Sequence, residues 1–194
     1  MNMPQIVEAG SQRRDCILDA AIPVFGRFGF RKASVDDLAS AAQISKQGLY
    51  LHFPSKEAVF QAAMQKYLDD GLRLVQEELD RPGAPLYKRL MGAMDAWFGR
   101  HLVTFTPESF DVIGAGNRLS GSEVDQYKAA FQAKLAKTLA DSPEFREAKN
   151  LCTPREIARV LFLCGLTWKE GHASRADFMK QVGLCIRACC QIES

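Results

Sequence analysis

"SKQGLYLHF", residues Ser45 to Phe53, sets Lys46, Gln47, Tyr50 and His52 around two core-type residues, Leu49 and Phe53. On a helix turning by about 100° per residue, Leu49 and Phe53 share one face, while Gln47 and Leu51 point nearly opposite with Tyr50 beside them. The polar face is therefore organised for something outside the chain. Ser45 can cap this segment with its hydroxyl, and Pro54 ends it before Ser55 begins the next helix.

Working outward, Ser34 opens a preceding short helix, with Asp37 three residues on to reciprocate the cap and Val35, Leu38 and Ala42 facing inward. Gln43 and Ile44 make the turn between the two short helices. Further upstream Ile17, Leu18, Ala21, Val24, Phe25 and Phe28 form one helical stripe that stops at Gly29, with Pro23 predicting a local kink inside it. Downstream, Val59, Phe60, Ala63, Met64, Tyr67, Leu68, Leu72, Val75 and Leu79 mark a long helix from Ser55 to Pro82-Gly83, in which Gly71 is a candidate bend or close-packing point. Helices are then predicted over 85–105, 108–113 and 122–140. A capping box at Thr153-Pro154-Arg155-Glu156 starts one ending near Gly171, and Ser174 with Asp177 starts the last, to about Ile192. Almost nothing alternates every second residue, so the fold class is all-α. The expected division is a flexible tail over 1–10, an N-terminal three-helix domain over 11–54, and a helical C-terminal domain over 55–194 joined through the long helix.

The chain has 194 residues, 47% hydrophobic and 25% charged, enough to bury a sizeable core and incompatible with wholesale disorder. Net charge is only +2, so a nucleic-acid partner must be held by a local patch. No stretch approaches membrane-spanning length, because Arg159 interrupts the apolar run near Ile157 to Trp168, and no leader-like apolar segment opens the chain. A cytoplasmic protein without a membrane partner is expected. Six cysteines are scattered through helical patterns with no Cys-x-x-Cys pair, which fits reduced thiols.

Between Arg27 and Lys56 five cations (Arg27, Arg31, Lys32, Lys46, Lys56) face Asp36 and Asp37, a local excess of three positive charges. A short capped helix braced by another across a tight turn has the build of a helix-turn-helix, whose second helix enters the major groove. In that role Gln47 would pair with adenine, Leu51 would rest on a thymine methyl, and Gly48 would permit close approach to the bases. Ser34, Tyr50, His52 and Lys56 would meet phosphates, helped by helix amino ends. A structural hairpin with a solvated polar face accounts for the periodicity equally well.

The stretch "ILDAAIPVFGRFGFRKASVDDLASAAQISKQGLYLHFPSKEAVF", within Arg14 to about Tyr67, resembles the amino-terminal domain of TetR-family transcriptional regulators. The resemblance rests on the Phe28-Gly29-Phe30 corner, Ser34-Val35, Leu38-Ala39, Ser45-Lys46, Leu49-Tyr50, Phe53 and Ser55-Lys56-Glu57. It implies phosphate contacts for Ser34, Tyr50, His52 and Lys56, and a base-facing helix start at Ser45, Lys46, Gln47 and Gly48. Ala33 stands where threonine is common and Gln43 where the turn usually has glycine. Pro23 is a third departure.

The resemblance further implies a ligand-responsive regulator, most readily a repressor, that binds double-stranded operator DNA as a homodimer and is released by a small-molecule effector. The apolar faces of the last two helices (Val160, Leu161, Cys164; Phe178, Val182, Cys185, Ile186, Cys189) would suit the dimer interface. Trp97, His101, Phe105, Phe110, Phe131 and Trp168 are the expected lining of the effector pocket, although each alone is more readily core. No ligand lies at i+4 from His101 or His172, so no metal or other cofactor is expected. An enzyme is not expected either, since Gly114-Ala115-Gly116-Asn117 is too short a glycine cluster for a cofactor loop. Two rival readings are a helical protein-interaction adaptor without DNA binding and a thiol-based redox-sensing regulator acting through Cys185, Cys189 or Cys190, with Arg187 near enough to lower a thiolate pKa.

Overall fold

The computed structural model describes residues 3–106, 111–148, 150–170 and 174–192, with side chains over 12–106, 123–148, 150–167 and 174–192. It is helical, with no strand among the described residues. Among the described residues ten α-helices follow in order: α1 Met3–Lys32, α2 Val35–Ala41, α3 Lys46–His52, α4 Lys56–Leu79, α5 Leu86–Met94, α6 His101–Thr104, α7 Asp111–Asp141, α8 Pro143–Glu147, α9 Pro154–Glu170 and α10 Arg175–Cys190. A π-helical turn, Asp95–Gly99, separates α5 from α6.

Two compact units emerge, one of Met1–Leu68 with Thr104–Val124, the other of Asp69–Val103 with Asp125–Ser194. The first divides from the second inside α4 rather than at residue 55, because Val59, Phe60, Ala63 and Tyr67 are buried in the first unit. Residues 3–10, expected as a tail, belong to α1. That helix is broken where Gly29 takes φ 76°, a conformation open to glycine, and a last turn continues to Lys32. Phe30 then folds back onto Phe60, ring centroids 4.9 Å apart, beside the Phe25–Phe60 pair at 5.1 Å. Leu38, Leu49 and Phe53 complete this core.

In the second unit an aromatic cluster is the centre. Phe131 stacks on Trp97 at 5.1 Å, and Phe98 meets Phe131, Phe162 and Phe178 at 5.6, 5.6 and 6.3 Å. α10 packs against α9 and α5. The single helix expected over 85–105 is interrupted by the π-helical turn, and the helix expected over 122–140 begins at Asp111. The short helix α8, capped by Ser142, was not anticipated. The expected segment 108–113 starts among residues outside those described. Gly114 to Asn117 lies inside α7, so it forms no loop.

Candidate nucleic-acid interface

α2 and α3 are both capped as their sequences require. Ser34 Oγ accepts from Asp37 N at 3.1 Å, while Ser34 N donates to Asp37 Oδ2 at 2.9 Å, a complete capping box. The same hydroxyl donates its proton to Asp37 Oδ2 at 2.6 Å. These bonds, the side-chain one foremost, hold the Asp37 carboxyl below its ordinary range. Ser45 Oγ accepts from Gly48 N at 3.0 Å and so starts α3.

The turn between them is a Schellman closure: Gln43 N donates to Ser40 O and Ile44 N to Ala39 O, both at 3.0 Å. Gln43 holds the left-handed position at φ 54°. The departure from glycine noted in the sequence therefore keeps the turn geometry and places a side chain where glycine is preferred.

This framing sorts α3 into two faces. Leu49 is buried, whereas Leu51 is 82% exposed and Tyr50 47% exposed. Gln47 and Lys46 are exposed with them, and His52 is half-buried. Lys46 Nζ meets Asp36 Oδ2 at 3.1 Å, an exposed pair that costs little to exchange for another anion. At Gly48 an added Cβ would lie 3.3 Å from Ser45 Oγ, tight but displacing no backbone.

Two residues with expected phosphate roles also make bonds within the chain. Lys56 Nζ donates to Phe30 O at 3.0 Å and Ala33 O at 3.1 Å and sits 4.7 Å from the Phe30 ring centroid. Its amine is thus turned to the end of α1, and its half-buried position gives no support to the phosphate contact expected of it. Ser34 has one hydroxyl proton, already given to Asp37, so a phosphate would have to displace that bond. Sequence reasoning also passed over Arg14, whose Nη1 donates to His52 O at 3.0 Å and whose guanidinium lies 4.2 Å from the Phe53 centroid. No local periodicity signals that contact, since 38 residues separate the partners.

With this geometry in place, the likeness to known proteins is specific. The family model for bacterial regulatory proteins of the tetR family matches residues 17–63. Over that stretch the chain is similar to the TetR family. It is 36% identical over 86 residues to the A-factor receptor protein of Streptomyces griseus, covering 44% of this chain and 29% of that protein. It is 36% identical over 87 residues to the transcriptional activator FasR of Mycolicibacterium smegmatis, covering 45% of this chain and 39% of the relative. The chain thus spans well under half the length of the curated relatives it matches. The crystal structure of E. coli NemR in its reduced form shares the fold, with a TM-score of 0.71 over 94% of this chain and 100% of that one, at 16% identity. The match is concentrated on the helix-turn-helix.

The remaining expected sites fall apart into several environments. Trp97 and Phe131 are core members of the second unit, 5% and 0% exposed. Phe105 belongs to the first unit, edge-on to Tyr67 at 5.3 Å. His101 is half-buried. Phe110 and the side chain of Trp168 lie outside the described residues, as does His172. Of the described members of the set, Trp97 and Phe131 fill the core of the second unit, as aromatic residues at helical spacing commonly do.

Of the expected dimer residues, Leu161, Phe178, Val182 and Ile186 are fully enclosed by the chain's own core. Cys164, Cys185 and Cys189 are half-buried, and Val160 is exposed. Among the described residues, the exposed large apolar side chains of α9 and α10 are Val160, Leu163 and Leu184. All six cysteines are free. Cys185 Sγ lies 3.5 Å from Cys164 Sγ and 3.8 Å from Cys189 Sγ. Burial, then the neighbouring thiols, pushes the Cys185 thiol well above its usual range, and burial pushes Cys190 up to about 12. Arg187, expected beside them, donates instead to Tyr87 Oη at 3.1 Å. Its guanidinium is thus engaged by the Tyr87 hydroxyl. Among the described residues there is no group of side chains able to hold a metal ion, and no helix is long and apolar enough to cross a membrane.

Proposed function

We propose that the chain is a ligand-responsive repressor that binds double-stranded operator DNA as a homodimer in the cytoplasm and is released by a small-molecule effector. The observation that carries the reading is the outward face of α3: Leu51, apolar yet 82% exposed, beside exposed Gln47 and Tyr50. A thymine methyl, an adenine edge and a phosphate suit these three groups in turn.

A helix-turn-helix reads half-sites about 34 Å apart and therefore needs a two-fold partner. Val160, Leu163 and Leu184 support α9 and α10 as the surface a second copy would cover. The effector would have to bind the released arrangement more tightly than the DNA-bound one.

The test is a gel-shift titration of the intact chain with duplex taken from the region upstream of its own gene. Gln47→Ala with Tyr50→Ala should abolish retention while leaving the helical signal intact, and affinity should fall steeply with salt. Retention by the double variant would remove α3 as the reading surface. A salt-independent association would favour a protein-binding adaptor.

A further inference from the structure

A cleft of about 440 Å³ opens in the second unit, outside the aromatic cluster. Its charged lining is Glu78, Arg81, Lys88, Asp95, Arg100 and Arg175, four cations against two carboxylates. The two carboxylates are engaged internally: Arg81 Nη2 lies 2.6 Å from Glu78, and Arg175 Nε donates to Asp95 Oδ1 at 2.9 Å. Lys88 is exposed and pairs with no carboxylate among the described residues. An excess of two positive charges therefore faces the cleft.

The backbone is cut back to seat these groups. An added Cβ at Gly92 would strike the Glu78 carboxylate, one at Gly99 would strike that of Asp95, and one at Gly71 would come within 2.5 Å of Arg100 Nη2. Of the two uses foreseen for Gly71, close packing is the one seen. Asp95 and Arg100 also bracket the π-helical turn, whose wide i→i−5 bond runs from Arg100 N to Asp95 O at 3.1 Å. Such turns weaken a helix and recur at functional sites. Gly92 lines the charged cleft itself, and the π turn runs between two of its lining residues, Asp95 and Arg100.

We infer that this cleft binds a small organic acid, its carboxylate held by Lys88 and the arginines and its hydrocarbon body lying on Leu74 and Met91. A bare oxyanion would leave those two apolar side chains unused. Binding here stands on the second unit alone; that the acid acts as the effector rests on the function proposed above.

The test uses calorimetric titration of the intact chain at low ionic strength with hexanoate, hexanamide and inorganic phosphate. Hexanoate should bind at least about ten-fold more tightly than either of the others, and Lys88→Met should weaken hexanoate about ten-fold or more with Lys88→Arg recovering most of the loss. The melting temperature of unliganded Lys88→Met should match that of the parent, since the residue is exposed. Equal binding of hexanoate and hexanamide, phosphate binding as tightly as hexanoate, or an unchanged Lys88→Met would each overturn the inference. The same preparations are assayed for duplex retention. Retention without hexanoate binding sinks the acid site and leaves the DNA reading, whereas hexanoate binding without any retention does the reverse.

Discussion

Arg14 on α1 donates to the carbonyl of His52, the last residue of α3, while its guanidinium covers the ring of Phe53. The end of a seven-residue helix is thereby tied to a helix that began far earlier in the chain. Short helices are marginal alone, so α3 depends on such ties. Replacing Arg14 by Met removes a charged donor and a cation–π contact and should cost about 1 kcal/mol in urea unfolding. Arg14→Lys should recover less than half, because a point charge cannot both stack and donate sideways. An unchanged midpoint for Arg14→Met would show that the exposed contact contributes nothing.

Lys56 ties the other side of the same domain. Its ammonium donates to Phe30 O and Ala33 O at the end of α1. Lys56→Met should destabilise the fold by about 1–2 kcal/mol, through loss of charged hydrogen bonds at a helix end. It should leave the slope of log affinity for duplex against log salt unchanged under conditions where the variant is folded. A phosphate-contacting lysine would lower that slope by about one. The two measurements separate a clamp from a contact.

These ties show where sequence reading reaches and where it stops. Ser34 with Asp37, and Thr153 with Glu156, were legible because a capping box is a local pattern three residues long. Leu49 inward and Leu51 outward followed from helical period alone. The partners of Lys56 and Arg14 did not, since they lie 23 to 38 residues away. Period also fails when a helix has two apolar sides. On α9 and α10 it marked Leu161 and Val182 as apolar but could not tell that they turn inward while Leu163 and Leu184 face out. The π turn at Asp95–Gly99 has no periodic signature, and the residues around it read as ordinary helix.

Gln43 occupies φ 54° at the closing turn of α2. A side chain there costs about 1 kcal/mol or more relative to a residue indifferent to hand, partly offset by the backbone freedom glycine brings to the unfolded chain. Gln43→Gly should therefore stabilise the protein by about 0.5 kcal/mol, and Gln43→Val should destabilise it by more than that. Chemical denaturation of the three proteins gives the order directly. Gln43→Gly weaker than the parent would mean that the glutamine side chain makes a compensating contact.

Gly165 on α9 lies against the face of Phe98, such that a Cβ would sit 2.5 Å from Cδ2 and 2.8 Å from Cζ. The ring has little room to retreat, because it already packs on Phe131, Phe162 and Phe178. Gly165→Ala should gain up to about 1 kcal/mol in helix propensity and lose about 1–3 kcal/mol to overpacking, a net loss. A second substitution, Phe98→Leu, opens space and should recover part of that loss in the double variant. Additive costs would show that the two residues do not compete for the same volume.

Asp37 links the cap of α2 to pH. Its carboxyl is held below the ordinary value of 3.8, first by the Ser34 hydroxyl and then by the Ser34 amide. Because the folded value is depressed, the ionised form is favoured by folding. The resulting stability is fully present above the unfolded value and is lost as pH falls through the folded one. A carboxyl-resolved NMR titration should place the Asp37 midpoint below 3.8, and Ser34→Ala should move it upward by removing the larger cause. Unfolding followed on the acid side should show the parent losing an increment of stability that Ser34→Ala does not possess. Glu156, depressed by the amide and hydroxyl of Thr153, serves as an internal comparison whose midpoint Ser34→Ala must leave in place. A common shift of both residues would trace the effect to general charge, not to the cap.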